Sequence, residues 1–400
     1  MADKRDILIV LVGDPAHTAA RHDTLRPIVK GLKAHLKELA GTAYNPQFRY
    51  AAAPLGPGPG TGHLEAEIRK ALQKERPHVM VPIASAATRA AKAVVDADCP
   101  ADRIPIVFTV VSEPKKEGFI DEVPRITGVS RSLVKTAPDA VERLADMLGR
   151  PCHVYCCFRP GLSQAERAWN EINTRRPADV TLHREDIKGN DCRDFVQSVK
   201  SIPPKVNSQR TGIFMIPDDL VGRCAPDVIK AAHGGGIPTF FQQLEWVCPG
   251  KNAAGPPFAP GGYGVTADWM GKETADKVHP VILGPDPDAA TTPPRYPRED
   301  ELQFLVNEKV AGGLGLNIPP GAIPCQPTPP VEGPPSRAAI TALPKAAPTR
   351  GAKKPAKKRP APKRRATGKG KRAKRTAKGK KRAAPGRRMA RRGARRGRRT

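Results

Sequence analysis

Length, composition and charge set the first limits on this chain of 400 residues. It carries 68 Lys and Arg against 39 Asp and Glu, but 27 of the basic residues lie between Lys345 and Thr400, where no acidic residue occurs. Residues 1–344 are therefore almost neutral, and the strong positive charge characterises only the C-terminal segment. No apolar run approaches the ~18 residues of a membrane span, so no transmembrane segment is expected.

The N-terminal half alternates short apolar runs with helical patterns, which is typical of a parallel sheet covered by helices. Strands are predicted at 7–13, from 48 onward, at 78–84 and at 104–111, with a brief extended piece at 126–130. Helical spacing of apolar residues fills the intervals at 22–40, around Ile68, at 85–97 and at 137–149.

The same pattern then starts afresh. Strands are predicted at 152–158, 179–186, 211–219 and 237–243, and helices at 163–172, 191–201 and 225–233. Two successive series of β-α units imply an α/β protein with two doubly wound, Rossmann-like lobes. From about residue 327 the chain becomes Pro-rich and then Lys/Arg-rich without aromatic residues, which predicts a linker and a disordered tail.

The cysteine content favours buried structural positions. Eight cysteines without CxxC pairs are too sparse for a disulfide scaffold and do not form a zinc motif. Cys152, Cys156 and Cys157 alone cluster, either as a metal or redox site with His153 as a further ligand, or as small apolar residues of a buried strand. The second interpretation is favoured because free cysteine is among the most buried residue types.

The N-terminus contains no recognisable export signal. Its apolar run, at 7–12, has six residues and ends in Gly-Asp-Pro, whereas a secretory signal needs roughly 7–15 apolar residues and a small-residue cleavage site. The chain as written is therefore expected in the cytoplasm, and a true start upstream would make it periplasmic.

The predicted strand–helix turns contain none of the common catalytic or phosphate-binding sequence motifs. There is no GxSxG, HExxH, P-loop or GxGxxG at such a turn, so neither an enzyme nor a cofactor or metal is expected. The HGGG at 233–236 is similar to an oxyanion loop, but no nucleophile elbow accompanies it. We interpret it as a helix stop before the strand at 237.

Five segments carry a resemblance to a known family. They are PIASAATRAAKA (82–93), IPIVFTVVSEP with ITGVS (104–130), FMIPDDLV (214–221), GGYGVTADWMGKETAD (261–276) and LVNEKVAGGLGLNIP (305–319). Their order and spacing over about residues 5–327 resemble the ABC transporter substrate-binding proteins of the type I periplasmic-binding fold, and more narrowly the branch that binds aromatic amino acids. The resemblance implies two lobes that close on a small-molecule ligand in a cleft, with an ABC permease as partner.

The resemblance also completes the predicted domain organisation. The predicted parts are a first lobe (1–130 and about 262–300), a second lobe (131–261), a closing strand and hinge segment (301–327), a Pro-rich linker (328–344) and a disordered basic tail (345–400).

Candidate ligand-binding residues follow the predicted strands, because ligands of doubly wound sheets sit beyond the carboxyl ends of the strands. They are Asp14, Ser85, Ala86, Ser112, Glu113, Asp218, Asp219, Tyr263 and Asp268. An amino acid suits this set: its carboxylate would take N–H groups and a serine hydroxyl, and its ammonium group an acidic side chain. The alternative is structural, since Ser and Asp at helix starts are ordinary N-caps and an aromatic residue there is as often core.

The tail predicts a second interaction. Its Lys and Arg residues, interleaved with Ala, Pro and Gly, resemble the C-terminal tails of linker histones and would bind nucleic acid or another polyanion by counterion release. The residues expected to bind are Lys353, Lys354, Lys357, Lys358, Arg359, Arg364, Arg365, Arg395 and Arg396. Without aromatic side chains to stack on bases, only phosphate would be recognised. An anionic lipid surface or a purely solubilising role are the alternatives.

Taken together, the sequence predicts a non-catalytic solute-binding protein, with an amino acid as candidate ligand and a tail that binds nucleic acid non-specifically. The alternative is a nucleic-acid-associated structural protein whose bilobed domain no longer binds solute. A third hypothesis is an exported component of an ABC importer.

Overall fold

The computed structural model describes most of the first 325 residues. The described ranges are 3–13, 25–53, 61–99, 104–120, 126–189, 191–217, 219–248, 258–284 and 293–325. The chain divides into two units, Met1–Pro334 and Pro335–Thr400, and every described residue belongs to the first. The predicted basic tail therefore lies outside the described residues.

Strands and helices alternate through both halves of the first unit, as the sequence predicts. The strands are β1 (Asp3–Val12), β2 (Tyr44–Ala53), β3 (Val79–Pro82), β4 (Ile106–Thr109), β5 (Ile126–Val129), β6 (Cys152–Phe158), β7 (Val180–Asp186), β8 (Lys205–Val206), β9 (Gln209–Met215), β10 (Thr239–Phe241), β11 (Gly261–Gly264), β12 (Gln303–Val306) and β13 (Ile323–Pro324). The helices are α1 (Leu25–Ala40), α2 (Gly62–Lys74), α3 (Ser85–Asp98), α4 (Leu133–Leu148), α5 (Ser163–Thr174), α6 (Cys192–Ser201), α7 (Asp219–Gly234), α8 (Ala267–Leu283) and α9 (Glu308–Gly313). None of these helices is long and apolar enough to cross a membrane.

Five parallel strands form the first sheet, in the order β2-β1-β3-β4-β5. The inner strand β1 is fully buried from Ile7 to Val10. Helices α2 and α3 pack against Leu8 and Val10 on one face, while α1 and α8 pack against Ile7 and Ile9 on the other. Cover on both faces explains why β1 is a continuous apolar run and not an alternating one.

The second sheet repeats this order with five parallel strands, β7-β6-β9-β10-β11. β12 adds antiparallel to β11, β13 follows parallel to β12, and β8 forms a hairpin with β9. Helices α4 and α5 cover one face, and α6 and α7 cover the other. Because both sheets have the 2-1-3-4-5 order of a doubly wound fold, the predicted α/β class with two lobes is confirmed.

The chain crosses between the two sheets three times. α4 follows β5 and packs on the second sheet, α8 follows β11 and packs against β4 and β5, and β12 returns to the second sheet. The placement of β11 differs from the prediction, which began the returning segment of the first lobe at about residue 262: this strand pairs with β10. The return to the first lobe therefore begins after Gly264, while the remaining predicted bounds stay a prediction.

The clustered cysteines and the glycine run both have structural roles in the second lobe. Cys152, Cys156 and Cys157 are buried in β6, which confirms the buried-strand interpretation. Burial raises the pKa of the Cys152 thiol to about 11, so this group stays protonated and unreactive at neutral pH. The glycines at 234–236 end α7 before β10, with Gly236 at φ 72°, as the helix-stop interpretation predicts.

Two disulfides join four of the eight cysteines, a pairing that the sequence does not predict. Cys192 in α6 is bonded to Cys224 in α7, and Cys248 is bonded to Cys325 beside β13. The partners are 32 and 77 residues apart, and folding brings their Cα atoms to 5.1 and 5.3 Å.

Helices α1 and α8 pack together closely over β1. Gly271 of α8 lies on the backbone of α1: a Cβ atom there would stand 2.6 Å from both the Ile28 carbonyl oxygen and the Leu32 nitrogen. Gly31 of α1 has more room, since the nearest atoms, on Asp268, would lie 3.4 Å from its Cβ. The contact therefore requires glycine at one of these two positions only.

Candidate functional site

Three strands of the first sheet end in strained backbone at their carboxyl edge. Ala84 follows β3 at φ 75°, Val110 follows β4 at φ 63°, and Ser132 follows β5 at φ 54°. Such left-handed conformations cost about 1–3 kcal/mol for residues other than glycine, and β-branched Val110 is an outlier among them. Strain of this kind clusters at ligand sites, and here it marks the edge at which doubly wound folds bind ligands.

Ser112 fixes this edge to the second lobe. Its hydroxyl accepts a hydrogen bond of 3.2 Å from the Val134 backbone N–H in the first turn of α4. The Ser130 hydroxyl donates to the Ser112 carbonyl oxygen (2.8 Å) and accepts from the Ser132 N–H (3.0 Å). The Ser130 N–H in turn donates to the Arg295 carbonyl oxygen at 2.8 Å. The hydroxyls thereby lock the segment that crosses from β5 to α4.

An ion-pair bridge connects the loop after β4 with helix α5 of the second lobe. Arg167 of α5 pairs with Glu113 through its Nε and with Glu117 through Nη2, the latter at 3.1 Å. Lys116 also pairs with Glu113 (2.7 Å), and Arg89 with Glu117 (2.6 Å). The Glu113 carboxylate therefore already has two cationic partners, and it holds the two lobes together.

A second, buried ion pair joins the carboxyl ends of β5 and β10. Arg131, two residues beyond β5, contacts Glu245, in the turn beyond β10, with 2.5 Å between Nη2 and Oε1. The side chains are only 2% and 13% exposed. Arg131 Nε and Glu245 Oε2 are also buried, and neither has a hydrogen-bond partner among the described residues. Both ionised groups therefore keep unused hydrogen-bonding capacity.

The turn after β10 carries further buried polar atoms without a described partner. Gln242 Oε1, Gln243 Oε1 and Trp246 Nε1 belong to this group, although the Gln242 amide donates to the Leu133 carbonyl oxygen (2.9 Å) and the Thr136 hydroxyl (2.8 Å) of α4. Since buried polar groups are normally paired, this concentration at the end of one strand indicates a place for a polar ligand or for water.

The structure brings some of the predicted ligand residues to the edge of the first sheet. Ser85 and Ala86 open α3 directly after β3, and their N-cap is Ala84, which has no polar side chain. Ser112 and Glu113 follow β4 and take part in the contacts between the lobes described above.

The remaining predicted residues are placed differently or lie outside the description. Tyr263 is buried in the core of the second lobe beneath the Arg143 guanidinium, 5.9 Å from its ring centroid, and burial raises its pKa. Asp268 is exposed in the first turn of α8, against Gly31. Asp14 and Asp218 lie outside the described residues, and Asp219 begins α7 without a described side chain.

Three residues of this region are not among those that the sequence predicts. Arg131 and Glu245 lie two and four residues beyond the ends of β5 and β10, so charged residues shortly after predicted strands were the available signal. Arg167 lies within the amphipathic pattern of α5, where an arginine ordinarily indicates a solvated face. In the part of the chain that the structure describes, no group of three His, Cys, Asp or Glu residues could hold a metal ion.

This chain shares its fold with several solved structures, and the similarity extends over nearly the whole length of each of them. A conserved domain protein from Vibrio cholerae is 19% identical, with a TM-score of 0.60 over 81% of this chain and 99% of that one. An ABC domain in complex with L-Trp from Streptococcus pneumoniae is 16% identical, with a TM-score of 0.59 over 80% and 99%. A ligand-free, open substrate-binding protein with adhesive properties from Clostridium difficile is 17% identical, with a TM-score of 0.51 over 81% and 99%. At such identities the likeness concerns the fold.

The family follows from the sequence itself. No curated protein matches the chain. The family model described as ABC transporter substrate binding protein matches residues 17–323, which include β2 to β12 and the segments that cross between the two sheets. The chain therefore belongs to the family of ABC transporter substrate-binding proteins.

Proposed function

We propose that this substrate-binding protein takes up a small polar solute between the carboxyl edges of its two sheets, that an amino acid is the solute, and that the loaded form delivers it to an ABC permease. The observation that carries the proposal is the group of buried polar atoms without a described partner at these edges, above all on Arg131 and Glu245. A protein in complex with L-Trp among the structures of similar fold is consistent with such a ligand.

Thermal unfolding of the full chain with a panel of solutes tests this proposal. The panel contains the common L-amino acids, monosaccharides and nucleosides, each at high concentration. A solute at 100 times its Kd adds about 2.7 kcal/mol to the stability of the folded state, which corresponds to a rise in Tm of roughly 5 °C. We expect at least one amino acid to produce such a rise. A panel without any stabilising solute would contradict solute binding.

The tail supports a second function, the binding of phosphate-rich polyanions through charge alone, with nucleic acid as the first candidate. This rests on the 27 basic residues between Lys345 and Thr400, where acidic residues are absent. Counterion release makes such binding steeply salt-dependent, and with 6–10 neutralised phosphates the affinity falls by about 10³–10⁵ between 50 and 200 mM salt.

A salt series with fluorescently labelled duplex DNA measures this dependence. We expect two unrelated DNA sequences to bind equally, with a log–log slope of about −0.9 for each phosphate that is neutralised. A variant that ends at residue 344 is the control, and it should lose DNA binding while keeping solute binding. DNA affinity that survives this truncation would exclude the tail as the binding element. Preference for anionic vesicles over DNA would instead favour a membrane surface.

A further inference from the structure

We propose that the buried pair of Arg131 and Glu245 recognises the two charged groups of an α-amino acid. Arg131 Nε–H donates a hydrogen bond to the ligand carboxylate, and Glu245 Oε2 accepts one from the ligand ammonium group. The inference rests on the proposed uptake of a solute between the lobes, and it names the residues that select the class of solute.

The first support is the incomplete pairing of two buried ions. Arg131 and Glu245 share one short contact, while a second donor on the guanidinium and a second acceptor on the carboxylate are buried without a described partner. Leaving ionised groups unsatisfied in this way is costly, because each has lost its contacts with bulk water. A ligand that supplies one acceptor and one donor would complete both groups.

The second support is the position of the pair. Arg131 follows the carboxyl end of β5 in the first sheet, and Glu245 follows that of β10 in the second, so the contact links the two edges where ligands of this fold class bind. A group that touches both residues also stabilises the approach of the lobes. Recognition and closure would thus depend on the same two side chains.

The third support is the rigidity of the Arg131 backbone. Its neighbours on both sides are fixed, because Ser130 donates its N–H to the Arg295 carbonyl oxygen and accepts the Ser132 N–H on its hydroxyl. Ser132 itself is held at φ 54° at the start of α4. The guanidinium on this constrained segment is pre-organised before the ligand binds, which lowers the entropic cost of binding.

The charges select a zwitterion over other polar solutes. A free acid would satisfy Arg131 and repel Glu245, and an amine would do the reverse. Hydrogen bonds with one ionised partner are already roughly twice as strong as neutral ones, so a sugar hydroxyl would also bind either ion, but only a zwitterion brings an opposite charge to each of them. The site therefore fits an α-amino acid whose carboxylate and ammonium group are both free.

Calorimetric titration of the full chain tests the inference from the ligand side without any substitution. The probes are the amino acid that gives the largest thermal shift, its carboxamide and its N-acetyl derivative. We expect each blocked derivative to bind 10- to 100-fold more weakly, which is the range for one charge-assisted hydrogen bond. A derivative that binds as tightly as the free amino acid would overturn the inference.

Substitutions then assign the two contacts. We expect Glu245→Gln to weaken binding of the free amino acid 10- to 100-fold and to leave the weak binding of the N-acetyl derivative unchanged. We expect Arg131→Lys to weaken binding of the free amino acid 10- to 100-fold and to leave the weak binding of the carboxamide unchanged. Arg175→Gln, which removes an exposed ion pair with Asp139, is the matched control and should bind normally. Circular dichroism confirms that each variant is folded.

The outcomes separate this inference from the proposed function. Amino acid binding that neither substitution weakens would refute the role of the pair and leave solute uptake intact. Tight binding of a monosaccharide, with no binding of amino acids, would likewise overturn the zwitterion site while the protein remained a solute-binding protein. If no solute of the panel binds, the proposed function itself is contradicted.

Discussion

Gly271→Ala is expected to destabilise the folded state by about 3 kcal/mol, near the upper end for added volume in a packed core. The new methyl group would stand 2.6 Å from the Ile28 carbonyl oxygen and the Leu32 nitrogen. Both are backbone atoms of α1, so no side-chain rotation can relieve the clash. Helices α1 and α8 must therefore move apart over the first sheet. Urea denaturation of the full chain measures the effect as a lower midpoint at unchanged slope.

Gly31→Ala is the matched control for this experiment, because it places the same methyl group on the facing helix of the same contact. Its nearest neighbours would lie 3.4 Å away, an ordinary van der Waals distance. Alanine also favours a helix over glycine by up to about 1 kcal/mol. We therefore expect a neutral or stabilising effect, and equal losses for the two variants would show that the helices do not approach as described.

Removal of either disulfide is expected to cost roughly 2–4 kcal/mol, with the larger loss for the longer loop, since a cross-link lowers the entropy of the unfolded chain. Cys192 and Cys224 are 32 positions apart in the sequence, and Cys248 and Cys325 are 77 positions apart. Paired Cys→Ala variants at each bond, compared by urea denaturation with and without a reductant, measure the loss. Reductant should destabilise the wild type and spare a variant that lacks both bonds.

Cys99→Ala provides the control for the disulfide variants, because this cysteine is unpaired and only half-buried. It should change the unfolding midpoint little in either condition. Thiol titration of the unfolded, unreduced chain gives an independent count, and four free thiols are expected, from Cys99, Cys152, Cys156 and Cys157. Eight free thiols in protein prepared under oxidising conditions would contradict both bonds.

Much of the fold could be predicted from local pattern. A strand that is covered on both faces is apolar at nearly every position, so β1 and β6 are visible as runs at 7–13 and 152–158. Helices between them follow from apolar spacing. The candidate site was accessible only in part: Ser112 and Glu113 could be found because they follow a predicted strand.

The sequence by itself determined the two β-α series, the α/β class and the separation of a neutral body from a basic tail, because these depend on local apolar period and on composition. Only the tertiary structure decided which distant groups meet. Arg131 and Glu245 are 114 residues apart, Glu113 and Arg167 are 54 apart, and Cys248 and Cys325 are 77 apart. The first two pairs form because the two sheets turn their carboxyl edges toward each other, and the disulfide forms because β12 and β13 return to the second sheet. No local pattern records either arrangement.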